Sequence, residues 1–361
     1  MTTQSNKITI SFLSGSLFIL MSMLCPGCKS KENPAPTSAR YNKMNLVADT
    51  LGYSAVRIDA NLQNAWGIAV GTTGSFWISS NHTGTTVIYD DNGAQVLAPV
   101  NIPLGTAPHG ASPTGVILNT TSDFVIPGNG ASVFIFSTED GILSAWNAST
   151  GSTTITVADR SSAGAVYKGL TMATDGGANF IYATDFYNGK VDVFDKNFAY
   201  VTTKPFNDPG IPAGFSPFNI KNIDDQMYVT YAKQLPPLNH DDQAGPGNGY
   251  LDVYTPAGVF LKRLATQGPL NSPWGITKAP AAFGQGANAI LIGNFGDGHI
   301  NVFDSNGGYH GGLLDNNITL TIEGLWDITF NAISPADPNQ MYFTAGPSHE
   351  NHGLFGYLKK I

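Results

Sequence analysis

The amino-acid sequence predicts an all-β fold: a six-bladed β-propeller of four-stranded antiparallel blades, its ring closed by an N-terminal strand. One short phrase recurs six times, an apolar or aromatic residue, then usually glycine, then a branched aliphatic. The copies are Ala65-Trp66-Gly67-Ile68, Pro113-Thr114-Gly115-Val116, Tyr167-Lys168-Gly169-Leu170, Pro217-Phe218-Asn219-Ile220, Pro273-Trp274-Gly275-Ile276 and Leu325-Trp326-Asp327-Ile328. Their third positions lie 48, 54, 50, 56 and 52 residues apart, and a period near fifty marks a propeller or similar array. The text between copies is strand-like, with period-2 apolar runs broken by Asx-Gly turns.

The elements follow in chain order. Lys7 precedes an apolar run from Ile8 to Leu24, then Cys25-Pro26-Gly27-Cys28 and a polar stretch. A cationic start, a short apolar run and a small residue before the break describe a secretory signal. The Gly-Cys junction is similar to a bacterial lipoprotein cleavage site, with Cys28 as the lipidated residue; an ordinary signal peptide is the alternative. The Cys25-x-x-Cys28 pair has no other cysteine to complete a metal or redox site. Residues 1–28 are therefore read as signal, 29–44 as a flexible tether and 45–361 as the propeller.

Within each repeat the phrase opens the inner strand. A second strand follows, such as Ile181-Tyr182-Ala183-Thr184 or Met341-Tyr342-Phe343-Thr344, and then a third, such as Val191-Asp192-Val193-Phe194. Turns such as Asp90-Asp91-Asn92-Gly93 and Asp304-Ser305-Asn306-Gly307 lead to a fourth. Their Asx-Gly chemistry fits hairpins and lacks the spacing and terminal Glu of a calcium loop. The sixth repeat reaches Ile361 after three strands, and Asn45-Leu46-Val47-Ala48-Asp49 is the expected fourth. Glycine in the inner strand is expected where neighbouring blades converge. Trp66, Phe218, Trp274 and Trp326 are expected to fill space between adjacent sheets.

Composition agrees. The chain holds 41 Gly and 22 Pro with only 12% charged residues, as many tight turns require, and its 42% apolar content supports a large core. Net charge is −8 with no Lys/Arg cluster in the body, which argues against nucleic acid as a partner. A monomer is expected.

Chemistry is expected on the face that carries the second-to-third-strand loops and the loops between blades. That face gathers His82, His109, His240, His349 and His352, five of the seven histidines. The loop from Ala232 to Asn248 is the longest of its kind and holds His240-Asp241-Asp242. His109, Asn219, His240, Asp241, Asp242 and Asp327 are candidate ligand-binding residues. His240, Asp241, Asp242, His349, Glu350 and His352 are candidates for a divalent metal ion or for acid–base work; the plainer reading has them as water-facing loop polarity. Asn219 and Asp327 break the glycine rule of the phrase, which points either to a ligand in the channel or to a bond that staples two blades. No nucleophile elbow, P-loop or dinucleotide fingerprint is present.

Ala165-Val166-Tyr167-Lys168-Gly169-Leu170, Tyr182-Ala183-Thr184-Asp185-Phe186-Tyr187-Asn188-Gly189, His240-Asp241-Asp242-Gln243-Ala244-Gly245-Pro246-Gly247 and Gly293-Asn294-Phe295-Gly296-Asp297-Gly298 give the body, residues 45–361, a further likeness. It resembles a family of exported bacterial propellers related to NHL-type repeats, many of which carry a C-terminal PEP-CTERM sorting tag. This chain ends in Lys359-Lys360-Ile361 in place of that tag. The resemblance implies fold and export, not a reaction. The leading expectation is thus an exported, lipid-anchored envelope protein holding a ligand, glycan or protein partner on one face. A metal-dependent hydrolase or lactonase and an envelope scaffold without a small-molecule site are the alternatives.

Overall fold

The structure, a computed structural model, describes residues 40–361 apart from 106, 285, 286 and 316, and apart from the side chains of 108 and 109. The signal, Cys28 and most of the tether lie outside the described residues, as does the side chain of His109.

Six antiparallel sheets surround a central axis. Blade 1 runs Ala65–Val70, Phe76–Ser80, Thr85–Tyr89 and Gln95–Asn101, and blade 2 runs Pro113–Leu118, Phe134–Thr138, Ile142–Trp146 and Ile155–Asp159. Blade 3 is Tyr167–Asp175, Ala178–Asp185, Lys190–Phe194 and Tyr200–Val201, and blade 4 is Phe215–Ile223, Gln226–Lys233, Gly249–Tyr254 and Phe260–Thr266. Blade 5 is Pro273–Lys278, Ile290–Asn294, Ile300–Phe303 and Tyr309–Gly312. Blade 6 takes Leu325–Phe330, Gln340–Ala345 and Leu354–Lys360 from the C-terminal end of the chain, and its fourth strand is Tyr41–Ala48. That strand pairs antiparallel with the last one, from Tyr41 opposite Lys360 to Ala48 opposite Leu354, so the ring closes as expected and covers an otherwise open edge. The closing strand is longer than its sequence signal, and a short strand, Arg57–Ile58, adds parallel to its outer side. Among the described residues no helix is long and apolar enough to cross a membrane.

The repeated phrase is the site of a β-bulge. In all six blades the register between the first and second strands shifts at the phrase, which frees the third residue's N–H from the ladder. A hydroxyl on the second strand takes that N–H in several blades: Ser137 from Gly115 (3.1 Å), Thr184 from Gly169 (2.7 Å), Thr230 from Asn219 (3.0 Å) and Thr344 from Asp327 (3.1 Å). Thr184 and Thr344 donate onward to Phe218 O and Trp66 O of the next blade. The bulge with its hydroxyl is therefore both a local repair and a bond between blades.

The phrase glycines sit where blades meet. A Cβ at Gly67 would strike Thr114 O, and one at Gly169 would strike the Asn219 side chain. The two exceptions reach across the same gap. Asn219 Nδ2 donates to Trp274 O at 2.6 Å, and Asp327 Oδ2 accepts from Ile68 N at 2.9 Å, joining blade 6 to blade 1. Both are buried.

One expectation is corrected. Trp66, Phe218, Trp274 and Trp326 do not lie between adjacent sheets. They meet across the axis with Phe186 and Phe295. Trp66 stacks on Trp326 (3.5 Å between ring centroids) and meets Trp274 edge-on at 5.8 Å, although blades 1 and 5 are not neighbours. The second position of the phrase points down the channel, and large rings there plug it. Between the sheets, Ile, Val, Tyr and Phe form the separate core clusters instead.

Candidate functional site

The aromatic plug carries a foreign member. Where other blades place Trp, Phe or Thr at the phrase's second position, blade 3 places Lys168, its side chain only 2% exposed. Its ammonium lies over the Trp66 ring, 5.1 Å from the centroid. A lysine is almost never so buried without partners, and carboxylates gather around this one. Glu139 pairs with it directly, and Asp241 Oδ1 stands 3.5 Å away on the long loop of blade 4. Burial alone would raise the Glu139 carboxyl, but Lys168 and the amide of Asn81 (2.9 Å) outweigh it and hold Glu139 below its ordinary value. Burial likewise opposes the charged form of Lys168, and Glu139 and Asp241 overcome it, raising the ammonium above its ordinary value. The pair is ionic.

Around this pair lies a second tier. Trp326 Nε1 donates to Asn64 Oδ1 at 2.9 Å, and Asn64 Nδ2 donates to Glu350 Oε2 at 2.7 Å, with His82 Nε2 at 3.4 Å. Burial pushes the Glu350 carboxyl up to about 7, against the pull of the Asn64 bond and Lys168. Glu350 reaches this place through unusual backbone. Ser348, His349 and Glu350 have φ of 58°, 55° and 66°, three consecutive non-glycine residues in the left-handed region. Such conformations cost about 1–2 kcal/mol per residue and persist at sites where the surroundings over-determine them. Gly346 permits the approach, since a Cβ there would strike Asn64 Oδ1.

Asp242 is the last carboxylate of the group. Burial raises it, with the Ser272 hydroxyl and Lys168 acting the other way. Its Oδ2, Ser272 Oγ and the indole nitrogens of Trp66 and Trp274 are buried yet make no well-formed hydrogen bond to protein. Beside the cluster, Glu139, Asp140, Val166, Tyr187, His240 and Asp241 line a cavity of about 530 Å³. Tyr187 and His240 form its aromatic wall, rings edge-on at 5.1 Å.

The loop residues singled out by sequence therefore separate. His240, Asp241, Asp242, Glu350 and His82 reach the mouth. His349 is solvent-exposed. His352 turns away, its Nδ1 3.0 Å from Asp49 Oδ2 at the closing strand and its ring edge-on to Tyr53. The left-handed turn at 348–350 splays these sequence neighbours. Asn219 and Asp327 are interblade staples below the plug, with their polar atoms committed to backbone. Among the described residues no three His, Cys, Asp or Glu side chains are grouped so as to hold a metal ion; Glu139 and Asp241 are paired with the Lys168 ammonium and Glu350 with the Asn64 amide. Lys168, Asn64 and Tyr187 were not identified as site residues from sequence. A lysine at the aromatic position of the phrase was the signal that could have found the first.

Fold and site together define a class: a six-bladed propeller with an aromatic plug and a charged upper mouth. No family model matches the sequence. The chain is 32% identical over 333 residues, 88% of its length, to Uncharacterized protein R648 and to Uncharacterized protein L690 of Acanthamoeba polyphaga mimivirus, covering 80% and 86% of those proteins. It belongs to their family. By fold alone it is similar to the soluble aldose sugar dehydrogenase of Escherichia coli (TM-score 0.55, 13% identity, 89% of this chain and 100% of that one). A streptogramin B lyase matches with TM-score 0.52 at 13% identity, over 90% of this chain and 98% of that one. The arabinofuranosidase arb93a of Fusarium graminearum matches with TM-score 0.56 at 11% identity, over 88% and 97%.

Proposed function

We propose that this chain is an exported binding protein, lipid-anchored through Cys28, that holds a neutral polyhydroxylated small molecule such as a saccharide at the upper mouth. The observation that carries the reading is a pair of buried indole donors without a protein acceptor, Trp66 Nε1 and Trp274 Nε1, in the aromatic group that Lys168 lies against. Native structures pair nearly all such atoms, and unpaired indole donors next to the charged mouth favour a ligand that completes them. Two indole donors beside carboxylate acceptors suit hydroxyl groups, which both donate and accept. The 42% exposed Tyr187 offers a ring face for the C–H surface of a sugar. Asp140, Asp241 and Glu139 outnumber the one buried ammonium, which disfavours an anionic ligand. Export rests on the leader text from Lys7 to Cys28.

Titration calorimetry with neutral mono- and disaccharides, with spermidine and citrate as charged comparators, tests the site. At least one neutral saccharide binds, and the triple change Tyr187→Ala, His240→Ala and Asp241→Ala weakens it at least about tenfold. Saccharide binding that survives the triple change, or a preference for citrate, rejects the assignment. For the anchor, Cys28→Ala shifts the protein from the membrane to the supernatant fraction; unchanged fractionation rejects lipidation there.

Glu350 favours a second reading, an acid–base enzyme. A carboxyl held near 7 beside the ionised Glu139 is the kind of split pair that acid–base catalysis uses. Turnover of a bound saccharide by wild type but not by Glu350→Gln distinguishes an enzyme from a binding protein.

A further inference from the structure

The far end of the channel differs from the mouth in both shape and charge. One residue past the phrase's aliphatic, the six blades present Ala69, Ile117, Thr171, Lys221, Thr277 and Thr329. Five are small or apolar and one is a cation. Several of them line a cavity of about 320 Å³ at the lower opening, whose wall is mostly apolar: Ile68, Val116, Leu118, Met172 and Phe330, with Lys221 among them. This volume lies at the small end of the range for ligand pockets.

We propose that the lower opening is a second binding site, taking a small amphiphile with a carboxylate head and an apolar chain. Lys221 is the head-binding residue. Among the described residues its side chain makes no salt bridge or hydrogen bond, and its electrostatic neighbour is Asp327. Asp327 attracts it but makes no direct ion pair with it. Both carboxylate oxygens of Asp327 are committed to backbone, Oδ2 to Ile68 N and Oδ1 to Ile328 N, each at 2.9 Å. Burial also raises the Asp327 carboxyl, toward its uncharged form.

A part-buried ammonium within an apolar cup costs solvation that an incoming carboxylate restores. The cup then covers the chain that follows the head. The aromatic plug separates this site from the upper mouth, so the two are independent and their tests can fail separately.

Calorimetry with octanoate, octanol and acetate decides the matter. Octanoate binds the wild-type protein, while octanol, lacking the charge, and acetate, lacking the chain, bind at least about tenfold more weakly. Lys221→Gln loses octanoate by a similar factor, and Lys221→Arg retains it. The triple variant at Tyr187, His240 and Asp241 binds octanoate like wild type. No octanoate binding to wild type, octanol binding as tight as octanoate, or undiminished binding by Lys221→Gln each overturns the proposal. Should Lys221→Gln fail to fold, as read by circular dichroism, the octanoate-to-octanol ratio on wild type and on Lys221→Arg still decides it.

Discussion

Two groups of buried charge in this molecule look alike by burial and differ in how fully they are paired. In blade 4, Asp252 is 0% exposed and receives Arg263 Nε at 2.8 Å, with Arg263 Nη2 and Tyr254 OH each at 3.4 Å. Arg263 in turn holds Asp208 and donates to Gly210 O at 3.1 Å, and Tyr254 shares a 2.6 Å bond with Tyr231. Every strong donor and acceptor in that group faces another. At the upper mouth, Lys168 serves several carboxylates at once, while the indole N–H groups of Trp66 and Trp274 are left over. Paired charge of the first kind holds strands together. Charge of the second kind is poised for something the chain itself does not supply.

Truncation should separate them most strongly. Asp252→Ala strands Arg263 beside Asp208 and removes an acceptor from Tyr254, at a cost of about 3 kcal/mol, the lower end for a broken buried pair because Arg263 is partly exposed. Denaturant unfolding reads that loss, and saccharide affinity stays as in wild type. The triple change at Tyr187, His240 and Asp241 does the reverse, altering affinity with a stability change within about 1 kcal/mol. An Asp252→Ala protein as stable as wild type would erase the distinction between the two groups.

The legibility of these features in the sequence follows from their range. The blades were readable because the phrase is a local device: its bulge, its second-strand hydroxyl and its glycine all act within a few residues or at a fixed repeat. The closing strand was readable for the same reason, since Leu46 and Val47 carry a strand pattern and blade 6 lacked a fourth member. The channel was not readable in the same way. Trp66, Trp274 and Trp326 share a position in the phrase, yet only the closed ring brings their rings together. Lys168 and Glu139 lie 29 residues apart on neighbouring elements, and Asn64 meets Glu350 across 286 residues. His349 and His352 are neighbours in one loop, yet the left-handed turn at 348–350 sends them in different directions. Asn219 and Asp327 show the other side: a broken local rule that proves to be a structural bond.

The smallest effect is also the most specific to the mouth, and it is a matter of pH. Burial lifts the folded-state carboxyl of Glu350 to about 7, whereas an unfolded glutamate titrates near about 4.3. A raised folded value means that the native state holds the extra proton between those two limits. The stabilisation linked to it is whole below the unfolded value and is lost as pH rises through about 7. Glu350→Gln carries the shape and acceptor of the protonated acid without titrating. The variant therefore matches wild type at about pH 4 and exceeds it at about pH 8, by about 1–2 kcal/mol once the group's partial exposure is allowed for. Asp252, raised to about 6, gives wild type a slope of the same sign. Reading the difference between the two proteins, rather than either curve, cancels that contribution. A difference that stays flat from acid to alkaline conditions would mean that Glu350 ionises as freely as a surface residue. The left-handed turn that delivers it to Asn64 would then have no electrostatic purpose.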